Sequence, residues 1–256
     1  MGRVLKYIEE RKSRYGALHM TLIDPDKVGD LSVISKLCQV IDEAGSDAIL
    51  LGGSTGVVEF QLDEVIKEIR SYTSIPVILF PGSVAGLSRL ADAVFFLSVL
   101  NSVDPYFITG AQAQAAIAIK RHYSNLEIIP TAYILMGDGG AAAYVSCARP
   151  IPYSRPELAL AYALAAEFMG MKNVYLEAGS GASKPIPPEV ISRVRSYTTV
   201  LLTVGGGIKS YEAAYVAAKA GADIVVTGTV IEHQPDKLKE IVRGVRDGGR
   251  ERLRAR

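Results

Sequence analysis

The chain has 256 residues, with 28 Lys and Arg against 27 Asp and Glu. The resulting formal charge of +1 excludes a general electrostatic affinity for nucleic acid. Hydrophobic residues make up 49% and charged residues 21%, which excludes extensive disorder, and the length suits one α/β barrel domain spanning residues 1–256. No run of eighteen uncharged apolar residues occurs, and MGRVLKYIEERKSRYG places charges where a leader would carry its apolar core. A soluble, cytoplasmic protein is expected. Its two cysteines, without CxxC spacing, fit a reducing setting.

Residues 3–12 read as a short amphipathic helix covering the lower mouth of a barrel, ended by Gly16. LHMTLIDPDK is the first strand; it stops at Asp24–Pro25 because proline lacks the ladder donor and restricts its predecessor. VISKLCQVIDEAG then spaces Val33, Leu37, Val40 and Ile41 for one buried helix face, with Gly45 as the stop. DAILLGGSTG and IPVILFPGS are the next strands, apolar without alternation, as in a parallel sheet covered on both faces.

Only GSVAGLSRLAD separates strand three from strand four, AVFFLSVLN, so the third helix is expected to be degenerate. A helix over residues 106–122 and the strand LEIIPTAYILMG follow. Residues 137–155 form a long glycine- and proline-rich connection, read as a functional loop that acts as a lid. PELALAYALAAEFMG is helical, NVYLEAGSG is strand six, and residues 187–196 give another helix. TVLLTVGGGIKS and ADIVVTGTVIE are strands seven and eight, each ending in a glycine loop, with a helix over 211–220 between them and a last helix from about Pro235. The basic stretch RGVRDGGRERLRAR reads as a solvated tail. Eight strands alternating with helices predict a modified (β/α)8 TIM barrel, with a doubly wound sheet as the rival.

In such a barrel the loops after strands seven and eight commonly hold a phosphate, and backbone N–H groups at Gly205, Gly206, Gly207 and Gly228 form a cradle for one. Asp24 shares its parity with Met20 and Leu22 and ends an inward row. It reads either as a turn aspartate or, with Ser54 or Thr55 nearby, as a magnesium ligand completed by substrate phosphate oxygens. Tyr175 and Glu177 share an inward parity on strand six. A carboxylate there suits a substrate hydroxyl better than a phosphate, unless Lys184 or Lys209 pairs with it. His19, His122 and His233 show no metal spacing and read as structural or exposed. Phe95, Phe96, Tyr106, Phe107, Tyr133 and Tyr144 gather around strands four and five, as helix–sheet packing or as an apolar groove beside the polar site.

Taken in order, LIDPDK, LLGGSTG, ILFPGS, FFLSVLNS, TAYILMGDGG, YLEAGSG, VGGGIKS and VTGTVIE resemble the geranylgeranylglyceryl phosphate synthases, from about His19 to Glu232. The resemblance implies an Mg2+-dependent prenyltransferase that joins sn-glycerol 1-phosphate, at its C3 hydroxyl, to geranylgeranyl diphosphate in archaeal ether-lipid synthesis. By position, Asp24 and Ser54 correspond to the metal ligands. Tyr175, Leu176, Glu177, Ala178, Gly179, Ser180 and Gly181 correspond to the glycerol phosphate loop, and Gly206, Gly207, Gly228 and Thr229 to the phosphate cup. Asp24 and Glu177 are then the catalytic pair. The bacterial heptaprenyl relatives tend to carry lysine where this chain has Leu22, which favours the archaeal type. The alternatives are transfer of another prenyl length or a phosphate-sugar isomerase barrel. The partners implied are the two substrates, a second copy of the chain in a homo-oligomer, and a peripheral membrane contact for product release.

Overall fold

The computed structural model describes residues 2–25, 31–53 and 59–255. Eight parallel strands close into one barrel in chain order: β1 (Leu18–Ile23), β2 (Ala48–Gly53), β3 (Val77–Pro81), β4 (Ala93–Val99), β5 (Glu127–Leu135), β6 (Asn173–Glu177), β7 (Leu201–Gly205) and β8 (Ile224–Thr227). The register pairs Met20 with Ala48 on one side of β1 and with Val226 on the other, which joins the last strand to the first. Alternate residues of each strand point to the axis. Leu18, Met20, Leu50, Ile78, Phe95, Tyr133 and Tyr175 fill the interior, while their neighbours in sequence pack outward under the helices. The continuous apolar runs of the sequence have this cause: both faces of the sheet are buried.

The helices are α1 (Arg3–Tyr15), α2 (Leu31–Ala44), α3 (Glu59–Tyr72), α4 (Ala111–His122), α5 (Gly140–Val145), α6 (Pro156–Phe168), α7 (Pro188–Arg195), α8 (Tyr211–Ala220), α9 (Thr229–His233) and α10 (Leu238–Arg254). α1 closes the lower mouth with Val4 and Ile8, and its first N–H groups are capped from another element. Glu127 Oε2 accepts from Val4 N–H at 2.6 Å and Oε1 from Leu5 N–H at 3.1 Å. A π-helical turn, Tyr106–Gly110, leads into α4.

Between β3 and β4 the eleven residues 82–92 form turns and no helix, so the degenerate third helix is in fact absent. The flank of β3 and β4 toward their upper ends is therefore left to α3, α4 and this loop. An opening results, whose use appears below.

The C-terminal stretch departs from its reading as a solvated tail. It is helix α10, with Gly244, Gly248 and Gly249 buried. A Cβ at Gly244 or Gly248 would lie within 2.4 Å or 2.3 Å of the Tyr211 or Tyr215 carbonyl of α8, so these glycines let the two helices touch backbone to backbone. Two of its arginines, partly buried, pair with buried aspartates. Arg246 meets Asp47 at 2.7 Å and Arg252 meets Asp223 at 3.0 Å, each at the foot of a strand. Small residues carry little hydropathy, so the contact face was hidden among the charges.

Candidate active site

The C-terminal strand ends surround a cavity of about 480 Å³ that runs from the glycine loops to the gap left by the missing helix. Its polar end is lined by Asp24, Glu177, Ser180, Gly181, Gly206, Gly207, Lys209, Gly228 and Thr229. Its apolar end is lined by Phe80, Val84, Leu87, Val94, Phe96, Ala115 and Ile119, among others. Five of the six aromatics singled out in the sequence line it, so they form a groove; Tyr144 does not, and is 89% exposed on α5.

Glu177 ends β6 pointing inward and is buried. Its Oε1 accepts the Gly179 N–H at 2.6 Å, and the Tyr175 phenol donates to the same carboxylate. Burial pushes the carboxyl up from its ordinary 4.5 to about 7, against the opposing pull of those two hydrogen bonds. Its partners are thus a peptide N–H and a phenol, not Lys184 or Lys209. A carboxyl that titrates near neutrality, walled from bulk water and opening on a cavity, is suited to take a proton from a bound hydroxyl.

Tyr175 serves that carboxylate and is held by ring contacts, 5.2 Å from Tyr133 at 88° and 5.5 Å from Phe80. Burial raises the phenols of Tyr133 and Tyr175 well above their ordinary value, so both remain protonated donors. Leu176 and Ala178 belong to the shell under the helices, and neither lines the cavity. Ser180 and Thr229 bring the β6 and β8 loops together, with their hydroxyl oxygens 3.4 Å apart.

The cup glycines divide into two kinds. Gly206 (φ +82°) lies against the site itself: a Cβ there would sit 2.6 Å from Glu177 Oε1. Gly207 (φ +72°) faces away, and its Cβ would strike the Lys184 and Pro185 backbone at 2.7–2.8 Å. Glycine at 207 therefore serves loop packing as well as backbone angle, and a valine there would push the 184–185 segment away. Gly228 (φ −127°) needs no left-handed angle; its Cβ would meet Leu22 at 3.3 Å.

Asp24 lines the cavity half-buried at the end of the inward row of β1, as its parity required. Ser54, Thr55 and Asp26 lie outside the described residues. Among the described residues no three His, Cys, Asp or Glu side chains converge on one point. The described residues thus form no protein-only cage, whereas one carboxylate facing a phosphate cradle has the donor chemistry that Mg2+ accepts when substrate oxygens complete its shell.

The 137–155 connection is pinned, not hinged. Asn101, a strand-end residue that could have been catalytic, is its clamp: Nδ2 donates to Leu135 O and Arg149 O at 2.9 and 2.8 Å, and Oδ1 accepts from Leu135 N–H at 3.1 Å. Ser102 Oγ donates to Ser146 O at 2.6 Å, and Met136 forms a parallel bridge with Ile151. The segment is a fixed wall whose Gly139–Gly140 turn abuts Gly179, the donor to Glu177. The groove residues on the β3–β4 connection and α4 escaped the sequence reading, although the short connection itself was the signal for them.

Residues 6–245 match the PcrB family. The chain belongs to that family. Among PcrB relatives, the geranylgeranylglyceryl phosphate synthase of Caldivirga maquilingensis is 53% identical over 252 residues, covering 98% of this chain and 94% of that one. The protein of the same name from Thermofilum pendens is 52% identical over 256 residues, covering 99% of each. Among solved structures, (S)-3-O-geranylgeranylglyceryl phosphate synthase from Thermoplasma acidophilum in complex with its substrate sn-glycerol-1-phosphate superposes with a TM-score of 0.90 at 38% identity, over 96% of this chain and 99% of that one. A thiamine phosphate pyrophosphorylase from Pyrococcus furiosus, at 14% identity and a TM-score of 0.56, shares the fold alone.

Proposed function

We propose that this PcrB-family protein transfers a geranylgeranyl group from its diphosphate to the C3 hydroxyl of sn-glycerol 1-phosphate, releasing diphosphate, in the first committed step of ether-lipid synthesis. The observation that carries the reading is the joining of two unlike compartments in one cavity: a carboxyl facing a glycine cup, and an aromatic and aliphatic groove entered where the barrel lacks a helix. A phosphate-sugar isomerase has use for the first and none for the second. Synthases of about half-identical sequence, and a neighbour whose substrate is sn-glycerol-1-phosphate, support it.

In this reading the cup of Gly206, Gly207, Gly228 and Thr229 takes the glycerol phosphate through backbone N–H groups. Glu177, ionised, accepts the proton of the C3 hydroxyl as its oxygen attacks the allylic carbon, and Tyr175 holds the carboxylate in line. The carbon–oxygen bond to diphosphate breaks as the ether bond forms. Phe80, Phe96 and the α4 residues keep the prenyl tail out of water. Mg2+, which Asp24 with Ser54 would hold, supplies charge neutralisation for the departing diphosphate.

The test is incubation with Mg2+, sn-glycerol 1-phosphate and labelled prenyl diphosphates of graded length, followed by butanol extraction. Butanol-soluble phosphate ester should form with the geranylgeranyl donor, and turnover should fall on shortening or lengthening the tail. Asp24→Asn should remove most turnover at low magnesium and recover part of it in excess. Absence of product with every donor defeats the reading; full turnover of Asp24→Asn at low magnesium removes Asp24 from the metal.

A further inference from the structure

His19 lies on β1 with its side chain turned to the shell, fully buried. Its Nε2 is 2.9 Å from Thr227 Oγ1 and its Nδ1 3.0 Å from Ser46 Oγ. Ser46 Oγ donates to the carbonyl of His19 at 3.2 Å and is also within 3.4 Å of Ala48 O, while Thr21 Oγ1 donates to it at 3.1 Å. With its own proton committed to a carbonyl, the Ser46 hydroxyl receives the ring as an acceptor. With the Ser46 proton so placed, the matching tautomer carries the ring proton on Nδ1 and leaves Nε2 to accept from Thr227. Burial pushes the imidazole down to about 3, so the ring stays neutral at working pH.

The backbone of His19 is held from below. Its N–H donates to Asp47 Oδ2 at 2.9 Å and its carbonyl accepts from Asp47 N–H at 2.8 Å, and Asp47 is itself paired with Arg11 and Arg246. A chain of hydrogen bonds therefore runs from the ion-paired floor of the barrel to Thr227. Thr227 is the last residue of β8, and the residues after it are Gly228 and Thr229 of the cup. His19 itself is not in the wall of the cavity.

We propose that His19 is a positioning residue for the phosphate of the acceptor substrate: by accepting the Thr227 hydroxyl it fixes the end of β8, and with it the peptide groups of Gly228 and Thr229. The inference rests on the functional reading given above. Glycine has more backbone freedom than any other residue, so a cup built on it needs an outside constraint to present its N–H groups in one arrangement. The Thr227 hydroxyl is that point of attachment.

The experiment compares wild type with His19→Leu, His19→Gln, Thr227→Val and the His19→Leu/Thr227→Val double variant, using calorimetric binding of sn-glycerol 1-phosphate and steady-state kinetics. Losing one buried hydrogen bond is worth about 1 kcal/mol, so His19→Leu and Thr227→Val should each weaken glycerol phosphate binding about five- to tenfold. KM for the prenyl diphosphate should stay within about twofold of wild type, because the lost bond does not hold its groove. The double variant should be no worse than either single one, and His19→Gln, whose amide oxygen can accept from Thr227, should recover part of the affinity. Wild-type binding with unchanged affinity in both single variants overturns the inference alone, as do additive losses or equal losses for both substrates. Absence of glycerol phosphate binding by the wild type overturns the functional reading, and the inference with it.

Discussion

Glu177→Gln is expected to lower the rate of ether-bond formation by about 10²- to 10⁴-fold, the usual contribution of a positioned general base. Glutamine keeps the length of the side chain, and its amide oxygen can still accept from Gly179 N–H while its NH2 faces the Tyr175 oxygen as a donor. What it loses is the proton acceptor, so glycerol phosphate affinity should change much less than turnover. The pH dependence follows from the raised carboxyl. The wild-type rate should climb as pH rises through about 7, where Glu177 ionises, and the residual rate of the glutamine variant should lack that step. Stability should move the opposite way. A carboxyl whose pKa is higher folded than unfolded favours the fold below its ordinary 4.5 and loses that contribution as pH rises through about 7. A displacement of that size corresponds to on the order of 3 kcal/mol, so the glutamine variant should melt above wild type at pH 8 and close to it at pH 4. Full turnover in Glu177→Gln with loss of glycerol phosphate binding in Glu177→Ala would make the residue a hydrogen-bonding anchor only.

Gly206→Ala should cost kcat/KM about 10²-fold or more, through displacement of the reacting carboxylate. The new methyl would lie 2.6 Å from Glu177 Oε1 and 2.8 Å from the Gly179 nitrogen that holds it, so the carboxylate must leave its place. The left-handed angle at residue 206 adds roughly 1–2 kcal/mol of backbone strain. Gly170→Ala separates the two effects: φ there is +81° with nothing within 4 Å, so that variant should lose stability and keep its kinetics. In a Glu177→Ala background the Gly206 change should cost little more in kcat/KM, because the carboxylate it displaces is gone, while the stability loss from its contacts with Ala178 Cβ and Gly179 N at 2.8 Å persists. Kinetic losses that add fully in the double variant would show that Gly206 acts apart from Glu177.

The barrel was legible in the chain because eight apolar runs, punctuated by glycine loops, leave few other arrangements. Strand parity alone placed Asp24 and Glu177 toward the axis, and the cavity brings both together. Other features depended on where backbone meets backbone, which hydropathy does not encode. Gly207 lines the cavity and must also clear the 184–185 segment; Gly244 and Gly248 looked like tail residues and instead seat α10 on α8. Tyr144 was grouped with the other aromatics by sequence proximity, yet the short α5 turns it outward. The 137–155 loop has the composition of a lid, but the hydrogen bonds of Asn101 and Ser102 fix it as a wall. Its pinning residues lie more than thirty positions earlier in the chain, and no local pattern could reveal them.

The measurement that bears most directly on the account is a crystal structure of the protein with sn-glycerol 1-phosphate and a non-reactive thio analogue of geranylgeranyl diphosphate bound together. The account predicts the phosphate against Gly206, Gly207, Gly228 and Thr229, the C3 hydroxyl within hydrogen-bond distance of Glu177, and the tail lying past Phe80 and Phe96 toward Ile119. A tail leaving the barrel by any route other than the helix-free flank of β3 and β4, or a C3 hydroxyl turned away from Glu177, would contradict it.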